Sequence, residues 1–293
     1  MAKIAMIGAG MMASGMVERW CSAGEQVHVW NRTSEKARAL EKFGAKAFDD
    51  PAAAVQGVES IHIMLSDDAS VDRLFDRILE RIAKGTLTID HTTVSPQGTL
   101  ARFERTERAG IEFLHAPVFM SPQATRDGGG VMLASGPRAR FERAQPELKR
   151  MTGDLWYLGE RPDKAAAFKL FGNELIVFIV AGLADVYMLA KGLGIEPAEA
   201  HELFSHFKPS VTVDIRGKKM AAGDFGSAFD LAMARKDVRL MLEAAAANGV
   251  EMAVLPEIAR RMDAMIERGY GAKDVGVLAA DALGESRVPA GHG

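Results

Sequence analysis

The sequence predicts an α/β domain with a doubly wound parallel sheet, followed by an all-α domain. Up to Pro162, short apolar runs alternate with helix patterns, and this alternation is typical of parallel sheets. A glycine-rich turn separates the first apolar run from the first helix pattern. Beyond Pro162 the sequence has several helix patterns and no convincing strand. We therefore predict two domains, 1–162 and 163–293.

The predicted elements follow from apolar periodicity and from the turn residues between the runs. Strands are predicted at 3–7, 27–30, 45–48, 60–65, 86–90, 111–114, 131–135 and 155–158, with helices between them at 11–23, 34–43, 68–83, 97–108 and 138–150. In the second domain we predict helices at 163–192, 197–207, 230–248 and 254–268, and a disordered tail at 288–293.

The most apolar segment of the chain is 175–184, which ends at Asp185. This run is too short to span a bilayer, so we interpret it as the buried centre of a long helix with contacts on more than one side. A helix of this kind predicts a homodimer in which the helical domains of two copies pack together.

The composition excludes several classes of protein. The chain has 293 residues, 48% of them hydrophobic, and a net charge of -3, so it lacks the electrostatic footprint of a nucleic-acid-binding protein. Its single cysteine, Cys21, excludes an internal disulfide and favours a reducing compartment. The first residues form a strand pattern and carry no secretory signal. We therefore expect a cytoplasmic protein that binds neither nucleic acid nor a membrane.

The glycine-rich turn has the pattern Gly-x-Gly-x-x-Ala that is typical of dinucleotide-binding Rossmann domains. Gly8 permits the tight turn, Gly10 lets a pyrophosphate approach the backbone, and Ala13 lets the helix pack on the strand. The N-terminus of that helix offers free N–H groups to the phosphates. The turn therefore predicts five cofactor-binding residues: Gly8, Ala9, Gly10, Met11 and Met12.

The end of the second strand indicates which dinucleotide binds. An acidic residue there would bind the ribose hydroxyls and repel a 2′-phosphate. This chain instead has Asn31, Arg32 and Thr33, with Lys36 nearby, and such cationic and hydroxyl groups suit a 2′-phosphate. The sequence favours NADP(H) over NAD(H). The alternative, a solvated turn arginine at position 32, stays open at this point.

Lys169 and Asn173 are the candidates for chemistry in the second half of the chain. A separation of four residues places both on one face of the predicted long helix. Their neighbours are apolar, and a lysine beside a buried region can have a lowered pKa and exchange a proton near neutral pH. The spacing alone does not distinguish this from a lysine whose stem packs along an apolar surface.

The chain resembles the β-hydroxyacid dehydrogenases, the group of 3-hydroxyisobutyrate dehydrogenase, tartronate semialdehyde reductase and glyoxylate/succinic semialdehyde reductases. Short motifs in the family's order carry this resemblance over nearly the whole chain: they lie at 8–12, 31–33, 64–67, 90–96, 116–118, 169–173, 224–225 and 236–238. The resemblance implies hydride transfer between NADP(H) and a small hydroxyacid, aldehyde or ketoacid, without a metal ion.

The resemblance also implies a role for each matched residue. Lys169 corresponds to the family's catalytic lysine, at the junction of the two domains, and Asn173 to the asparagine that helps hold the substrate. Further matches are cofactor contacts at Leu65, Ser66, Thr92 and Lys236, and a pair near the nicotinamide and the substrate carboxylate at Thr92 and Thr93.

Two segments depart from the family pattern. One is 159–164, before the long helix, where the family is richer in glycine. The other is 115–121. Where the family has Asp-Ala-Pro-Val-Ser-Gly-Gly, this chain has His115-Ala-Pro-Val-Phe119-Met120-Ser121. The lost Ser-Gly-Gly brings N–H groups close to a substrate carboxylate, so Phe119 and Met120 are expected to block that approach or to line a more apolar pocket. His115 could add a charge or a proton relay. The predicted substrate-binding set is Thr92, Thr93, His115, Phe119, Met120, Ser121, Lys169 and Asn173.

Two alternative functions stay open. Imine reductases resemble this architecture, and Phe119 and Met120 would suit an imine, but those enzymes generally lack a lysine at the position of Lys169. A cofactor-binding protein without turnover is the other alternative. The presence of both Lys169 and Asn173 argues against it, whereas the altered segment 119–121 leaves it open.

Overall fold

The computed structural model describes residues 2–283, which form two compact units divided between Glu174 and Leu175. The division lies inside the long helix α8 (Lys164–Gly192), twelve residues after the boundary predicted at 162/163. The first unit contains the sheets and the first turns of α8, and the second contains the rest of that helix and those that follow. The tail predicted at 288–293 lies outside the described residues.

Six parallel strands form the main sheet of the first unit, in the order β3-β2-β1-β4-β5-β6. They are β1 (Lys3–Ile7), β2 (Gln26–Trp30), β3 (Lys46–Phe48), β4 (Ser60–Ile63), β5 (Leu87–Asp90) and β6 (Glu112–His115). The strand order reverses between β1 and β4, which are neighbours in the sheet. In this topology, ligands bind beyond the carboxyl ends of the strands at that reversal.

Helices cover both faces of this sheet. They are α1 (Met11–Ser22), α2 (Ser34–Arg38), α3 (Pro51–Ala54), α4 (Asp68–Ile78), α5 (Pro96–Ala109), α6 (Pro122–Asp127) and α7 (Arg138–Lys149). Ile4 and Met6 of β1 belong to one hydrophobic cluster, whereas Ala5 and Ile7 belong to a second one. Because successive strand residues point to opposite faces, the two clusters lie on opposite sides of the sheet. The predicted doubly wound domain is confirmed.

The last two predicted strands do not join the main sheet. They form a second, three-stranded sheet that consists of β7 (Val118–Phe119), β8 (Val131–Ala134) and β9 (Asp154–Tyr157). β7 runs antiparallel to β8, and β8 runs parallel to β9. The alternation of strands and helices predicted a single parallel sheet because it does not reveal the two-residue strand β7, with which the chain turns away from β6.

The second unit is helical throughout its described residues, 175–283. After α8 come α9 (Pro197–His206), α10 (Val211–Asp214), α11 (Arg216–Ala222), α12 (Leu231–Ala247), α13 (Leu255–Met265) and a 3-10 helix (Val275–Ala282). Leu231, Met265 and Val277 are fully buried in its core. Asp185 of α8 is also buried, and its carboxylate accepts hydrogen bonds from the N–H groups of residues 253–255, where α13 begins.

The centre of α8 differs from its prediction. Residues 175–180 were predicted to be buried, but each of them is exposed in the single chain, with Val177 at 65%. With 29 residues, α8 is also long enough and apolar enough to cross a membrane, judged by length and composition alone. The apolar run 175–184 alone is shorter than a span, and the criterion is met only by the whole helix. Exposed apolar surfaces of this kind are typical of interaction sites.

Candidate active site

The turn between β1 and α1 has the geometry that a dinucleotide requires. Gly8 has a φ of 121°, and a Cβ at this position would overlap the carbonyl oxygen of Met64, so glycine is needed here. At Gly10, by contrast, a Cβ would meet open space. That space lies at the N-terminus of α1, where free N–H groups can bind a phosphate. Ala13 is fully buried, as its packing role predicts.

Asn31 connects this turn to the end of β2. Its side-chain oxygen accepts a hydrogen bond from the N–H of Ala9 at 3.1 Å. Its side-chain nitrogen donates to the carbonyl oxygen of Thr33 at 2.9 Å. Asn31 was predicted as a cofactor contact, and the structure adds that it holds the two cofactor-binding loops together.

A cavity of about 620 Å³ lies at the carboxyl ends of β1 and β4, in the position expected for the cofactor. It brings together eight of the predicted cofactor-binding residues: Gly10, Met11, Met12, Asn31, Arg32, Thr33, Leu65 and Ser66. Gly8, Ala9 and Thr92 are not among the residues that line this cavity. Lys236 belongs to the second unit, and its predicted role stays a prediction.

Four cationic side chains line this cavity, namely Arg32, Lys36, Arg73 and Arg77. No Asp or Glu is among the residues of the described chain that line it. Arg77 also donates to Asp50 at 3.1 Å and lies over the ring of Trp30, 5.5 Å from its centroid. Arg73 and Arg77 were missed by sequence reasoning. Their separation by four residues on the polar face of α4 is a signal that could have found them.

Thr92 is placed to hold the loops after β4 and β5 in register. It is buried, and its hydroxyl accepts a hydrogen bond from the N–H of Leu65 at 3.0 Å. Its own N–H donates to the Asp90 carboxylate at 2.9 Å. Thr93, the other half of the predicted pair, is exposed. The structure therefore makes Thr92 a loop-positioning residue and leaves Thr93 accessible.

Lys169 lies on the first turns of α8, within the first unit, and is only 8% exposed. Its ammonium lies 3.8 Å from the centroid of the Phe119 ring. No carboxylate of residues 2–283 pairs with it. Burial lowers the pKa of the Lys169 ammonium from 10.5 to about 8. Asn173 follows one turn later and is half-buried.

The segment 119–121 is held firmly against α8 and α6. A Cβ on Gly172 of α8 would overlap the ring of Phe119, so the glycine makes room for the ring. Met120 is half-buried against the core of the main sheet. Ser121 caps α6, because its hydroxyl accepts a hydrogen bond from the N–H of Ala124 at 3.1 Å. The substrate contact predicted for Ser121 therefore competes with this capping role.

His115 does not reach a surface on which a substrate could bind. It is fully buried at the end of β6, and its Nδ1 lies 4.0 Å from the carboxylate of Asp90. Burial, reinforced by the positive charge of Arg102, lowers the pKa of His115 to about 3. The expected charge or proton relay at this position is thus corrected: the side chain is neutral and enclosed in the core. The segment at Ser135, which exchanges backbone hydrogen bonds with His115, lies beside this end of β6.

Metal ligation has no candidate in the described chain. Among residues 2–283 no three His, Cys, Asp or Glu side chains form a group that could hold a metal ion.

Comparison with known proteins assigns the family. A family model for the NAD binding domain of 6-phosphogluconate dehydrogenase matches residues 3–159. A second model, described as NAD-binding of NADP-dependent 3-hydroxyisobutyrate dehydrogenase, matches residues 164–280. The chain belongs to the β-hydroxyacid dehydrogenase family. It is an NAD(P)-binding oxidoreductase of the 3-hydroxyisobutyrate dehydrogenase type, as the resemblance implied.

Individual relatives agree with this assignment. Glyoxylate/succinic semialdehyde reductase 2 of Arabidopsis thaliana is 29% identical over 243 residues, which cover 82% of this chain and 68% of that protein. The 3-hydroxyisobutyrate dehydrogenase of Pseudomonas aeruginosa is 29% identical over 206 residues, 69% of each chain. An imine reductase from Myxococcus stipitatus, solved with NADP+, has the same fold, with a TM-score of 0.88, 20% identity, and coverage of 95% and 99%.

Proposed function

We propose that this protein transfers hydride between NADP(H) and a small carbonyl or alcohol substrate, with Lys169 as the proton donor and acceptor. The observation that carries the proposal is the state of Lys169. The side chain of Lys169 is buried, no carboxylate of residues 2–283 pairs with it, and its pKa is about 8. Lys169 belongs to the same unit as the dinucleotide cavity. The test is NADPH oxidation with carbonyl compounds, measured for the wild type and for Lys169→Ala.

Lys169 performs the proton chemistry in both directions. When bound, NADP(H) supplies or accepts the hydride. As an ammonium, Lys169 stabilises the negative charge that develops on the carbonyl oxygen and then donates a proton to it. As a neutral amine it accepts the proton of the alcohol in the reverse direction. A pKa of about 8 suits both roles, because both forms are populated near neutral pH. Asn173, on the same helix face, holds the same oxygen.

The preference for NADP(H) is supported by the charge of the cavity wall. A 2′-phosphate adds two negative charges, and guanidinium groups bind such oxygens with charge-assisted hydrogen bonds. Arg32, Arg73 and Arg77 supply those groups, and no carboxylate among the described lining residues opposes them. Trp30 lies in the same wall beneath Arg77, which leaves the adenine an aromatic and guanidinium surface.

Replacing Arg32 by alanine is expected to weaken NADPH binding about ten- to hundred-fold, since a hydrogen bond to a charged group contributes about 1.5–3 kcal/mol. NADH, which lacks the 2′-phosphate, is expected to bind within two-fold of the wild type. Titration calorimetry with both dinucleotides measures this. Arg38→Ala is the matched control, because Arg38 lies on α2 and pairs with Asp49 outside the cavity. Equal losses for NADPH and NADH would contradict the proposed selectivity.

An imine is the second candidate substrate, and Phe119 favours it. Its ring presents an apolar face beside the Lys169 ammonium, where an uncharged C=N group would fit as well as a carbonyl. Cyclic imines therefore belong in the substrate panel. A protein that binds NADPH tightly and turns over neither class would instead be the cofactor-binding protein without turnover.

We further propose that the protein is a cytoplasmic homodimer joined through α8. The exposed apolar residues 175–180 need a cover, and a second copy of the same helix offers a complementary apolar surface. A membrane is the competing cover, because α8 is long and apolar enough to cross one. The polar side chains within the same helix, Lys169, Asn173 and Asp185, favour the second copy.

Replacing both Phe178 and Ile179 by glutamate is expected to convert a dimer into a monomer. Each side chain is more than half exposed in the single chain, and a charge there cannot be buried between two copies without a partner. Light scattering should give about twice the 31.6 kDa chain mass for the wild type and one chain mass for the variant. Leu100→Glu, at an exposed site on α5, is the control. Wild-type protein that stays in solution only with detergent would favour the membrane instead.

A further inference from the structure

Phe119 lies where the substrate must approach Lys169, and its segment lacks the groups that would hold a carboxylate. We infer that Phe119 selects carbonyl compounds that carry no carboxylate, such as aldehydes and ketones with an apolar substituent. The inference rests on the proposed function and narrows its substrate class. Phe119 is thus a specificity-determining residue, whereas Lys169 remains the proton donor.

The position of the ring is fixed by its packing. The face of Phe119 lies 3.8 Å from the Lys169 ammonium, and its edge fills the space that Gly172 leaves on the same face of α8. On its other side, Phe119 packs with Phe168 against the buried cluster around Leu133. Lys169 and Gly172 are three residues apart and lie on the same face of α8, so the Phe119 ring packs against both of them.

The residues after Phe119 replace the glycines whose N–H groups the family pattern brings close to a carboxylate. Ser121 uses its hydroxyl to cap α6, and Pro122, the first residue of that helix, has no N–H. Phe119 itself belongs to β7, which pairs with β8. Gly130 approaches so closely that a Cβ there would overlap Met120 and the carbonyl oxygen of Phe119, which fixes the segment from behind.

Two of the other polar groups of the first unit near this chemistry are already engaged, whereas Thr93 is exposed. The Thr92 hydroxyl is buried and accepts a hydrogen bond from Leu65. In the proposed mechanism, the ammonium of Lys169 binds the reacting oxygen and is not free for a carboxylate. A carboxylate brought against the ring of Phe119 would lose hydration on that side without gaining a hydrogen bond from the ring, and such a loss is costly. An alkyl or aryl group would gain apolar contact with Phe119 and Met120 instead.

Two substrates of matched length test the inference, butanal and succinic semialdehyde, which differ in a terminal carboxylate. For the wild type, we expect kcat/KM with NADPH to be at least ten-fold higher for butanal, mainly through a lower KM. Phe119→Ser removes the ring and supplies the residue that the family pattern has at this position. It is expected to shift the ratio at least ten-fold towards succinic semialdehyde.

Two further variants separate specificity from damage to the fold. Phe171→Ser removes another aromatic residue from α8, 60% exposed and outside the contact with Lys169, and is expected to leave the ratio unchanged. If Phe119→Ser does not fold, as judged by circular dichroism and NADPH binding, Phe119→Leu replaces it, because leucine packs at this position with a smaller apolar surface beside Lys169. Phe119→Leu is expected to shift the ratio in the same direction, by at least three-fold.

The outcomes distinguish this inference from the proposed function. A wild type that prefers succinic semialdehyde overturns the inference while supporting hydride transfer. A Phe119→Ser variant that lowers kcat/KM for both substrates by the same factor also overturns it, because the ring would then act only in packing. A wild type that oxidises NADPH with no carbonyl compound overturns the proposed function and the inference with it.

Discussion

Lys169→Ala is expected to lower kcat for carbonyl reduction by about 10²–10⁴-fold, the usual contribution of a positioned general acid. The affinity for NADPH should stay within two-fold of the wild type, because Lys169 is not among the residues that line the dinucleotide cavity. The variant removes both the charge that stabilises the developing alkoxide and the proton that quenches it. Steady-state rates at saturating NADPH and a separate binding titration measure the two effects.

The pH profile of the wild type should report the same group. Carbonyl reduction needs the ammonium form of Lys169, so its rate should be constant below about pH 8 and fall as the pH rises above its pKa of about 8. Alcohol oxidation needs the neutral amine, so its rate should rise through the same pH. In Lys169→Ala, the residual rates of carbonyl reduction and of alcohol oxidation should no longer change around pH 8.

Two other variants make the result specific to position 169. Lys164→Ala removes a lysine that also lies on α8 beside an aromatic ring, that of Phe168, and should leave kcat unchanged. Lys169→Arg keeps the charge, but a guanidinium does not release its proton in this pH range, so it should remain far below the wild type. Turnover of Lys169→Ala equal to that of the wild type would exclude the proposed mechanism.

The dinucleotide site could be predicted from the sequence because its determinants are local. Gly8 and Gly10 lie within one turn, and the requirement for a positive φ at Gly8 follows from that turn alone. Arg32 follows β2 directly, at the strand end where the ribose is recognised. In both cases, a few consecutive residues determine the geometry, and the chain order places them at the same edge of the sheet.

The remaining features depend on contacts between distant segments. Arg73 and Arg77 reach the cavity because α4 follows β4, the neighbour of β1 in the sheet. Their spacing marks a polar face of α4, but it does not show that this face lines the dinucleotide cavity. His115 seemed to replace an acidic substrate-site residue, yet its side chain is fully buried and its backbone pairs with Ser135, twenty residues further along the chain. The sequence showed that Phe119 departs from the family, but its contact with Lys169 depends on how β7 packs against α8.

Acidification below pH 6.5 is expected to destabilise the protein through its buried histidines. His91 is enclosed between β-strands, with its Nδ1 2.7 Å from the carbonyl oxygen of Ala116 and its Nε2 2.9 Å from His62. Burial lowers the pKa of His91 from 6.5 to about 3, as it does for His115. Between these pH values, each histidine is protonated in the unfolded chain and neutral in the folded one.

Asp90 partly opposes this effect. Burial raises the pKa of its carboxyl from 3.8 to about 6, so the folded state binds the additional proton in that range. Between pH 6 and 4, the unfolded chain binds about two more protons on the two histidines, and the folded chain binds about one more on Asp90. The unfolded state therefore binds about one proton more in total. Because one proton corresponds to about 1.4 kcal/mol per pH unit, these three groups should lower the free energy of unfolding by about 3 kcal/mol over this range. Burial also lowers the pKa of His28, which acts in the same direction. Urea unfolding at several pH values measures the slope.

His115→Leu should remove most of that slope. Neither ring nitrogen of His115 has a hydrogen-bond partner among the described residues, so an apolar side chain of similar size can replace it. Without His115, the protons of His91 and Asp90 nearly cancel between pH 6 and 4, and the midpoint of unfolding should change little with pH. His206→Leu, at an exposed site on α9, should retain the wild-type slope. A His115→Leu variant that also retains it would show that His115 is already charged in the folded protein.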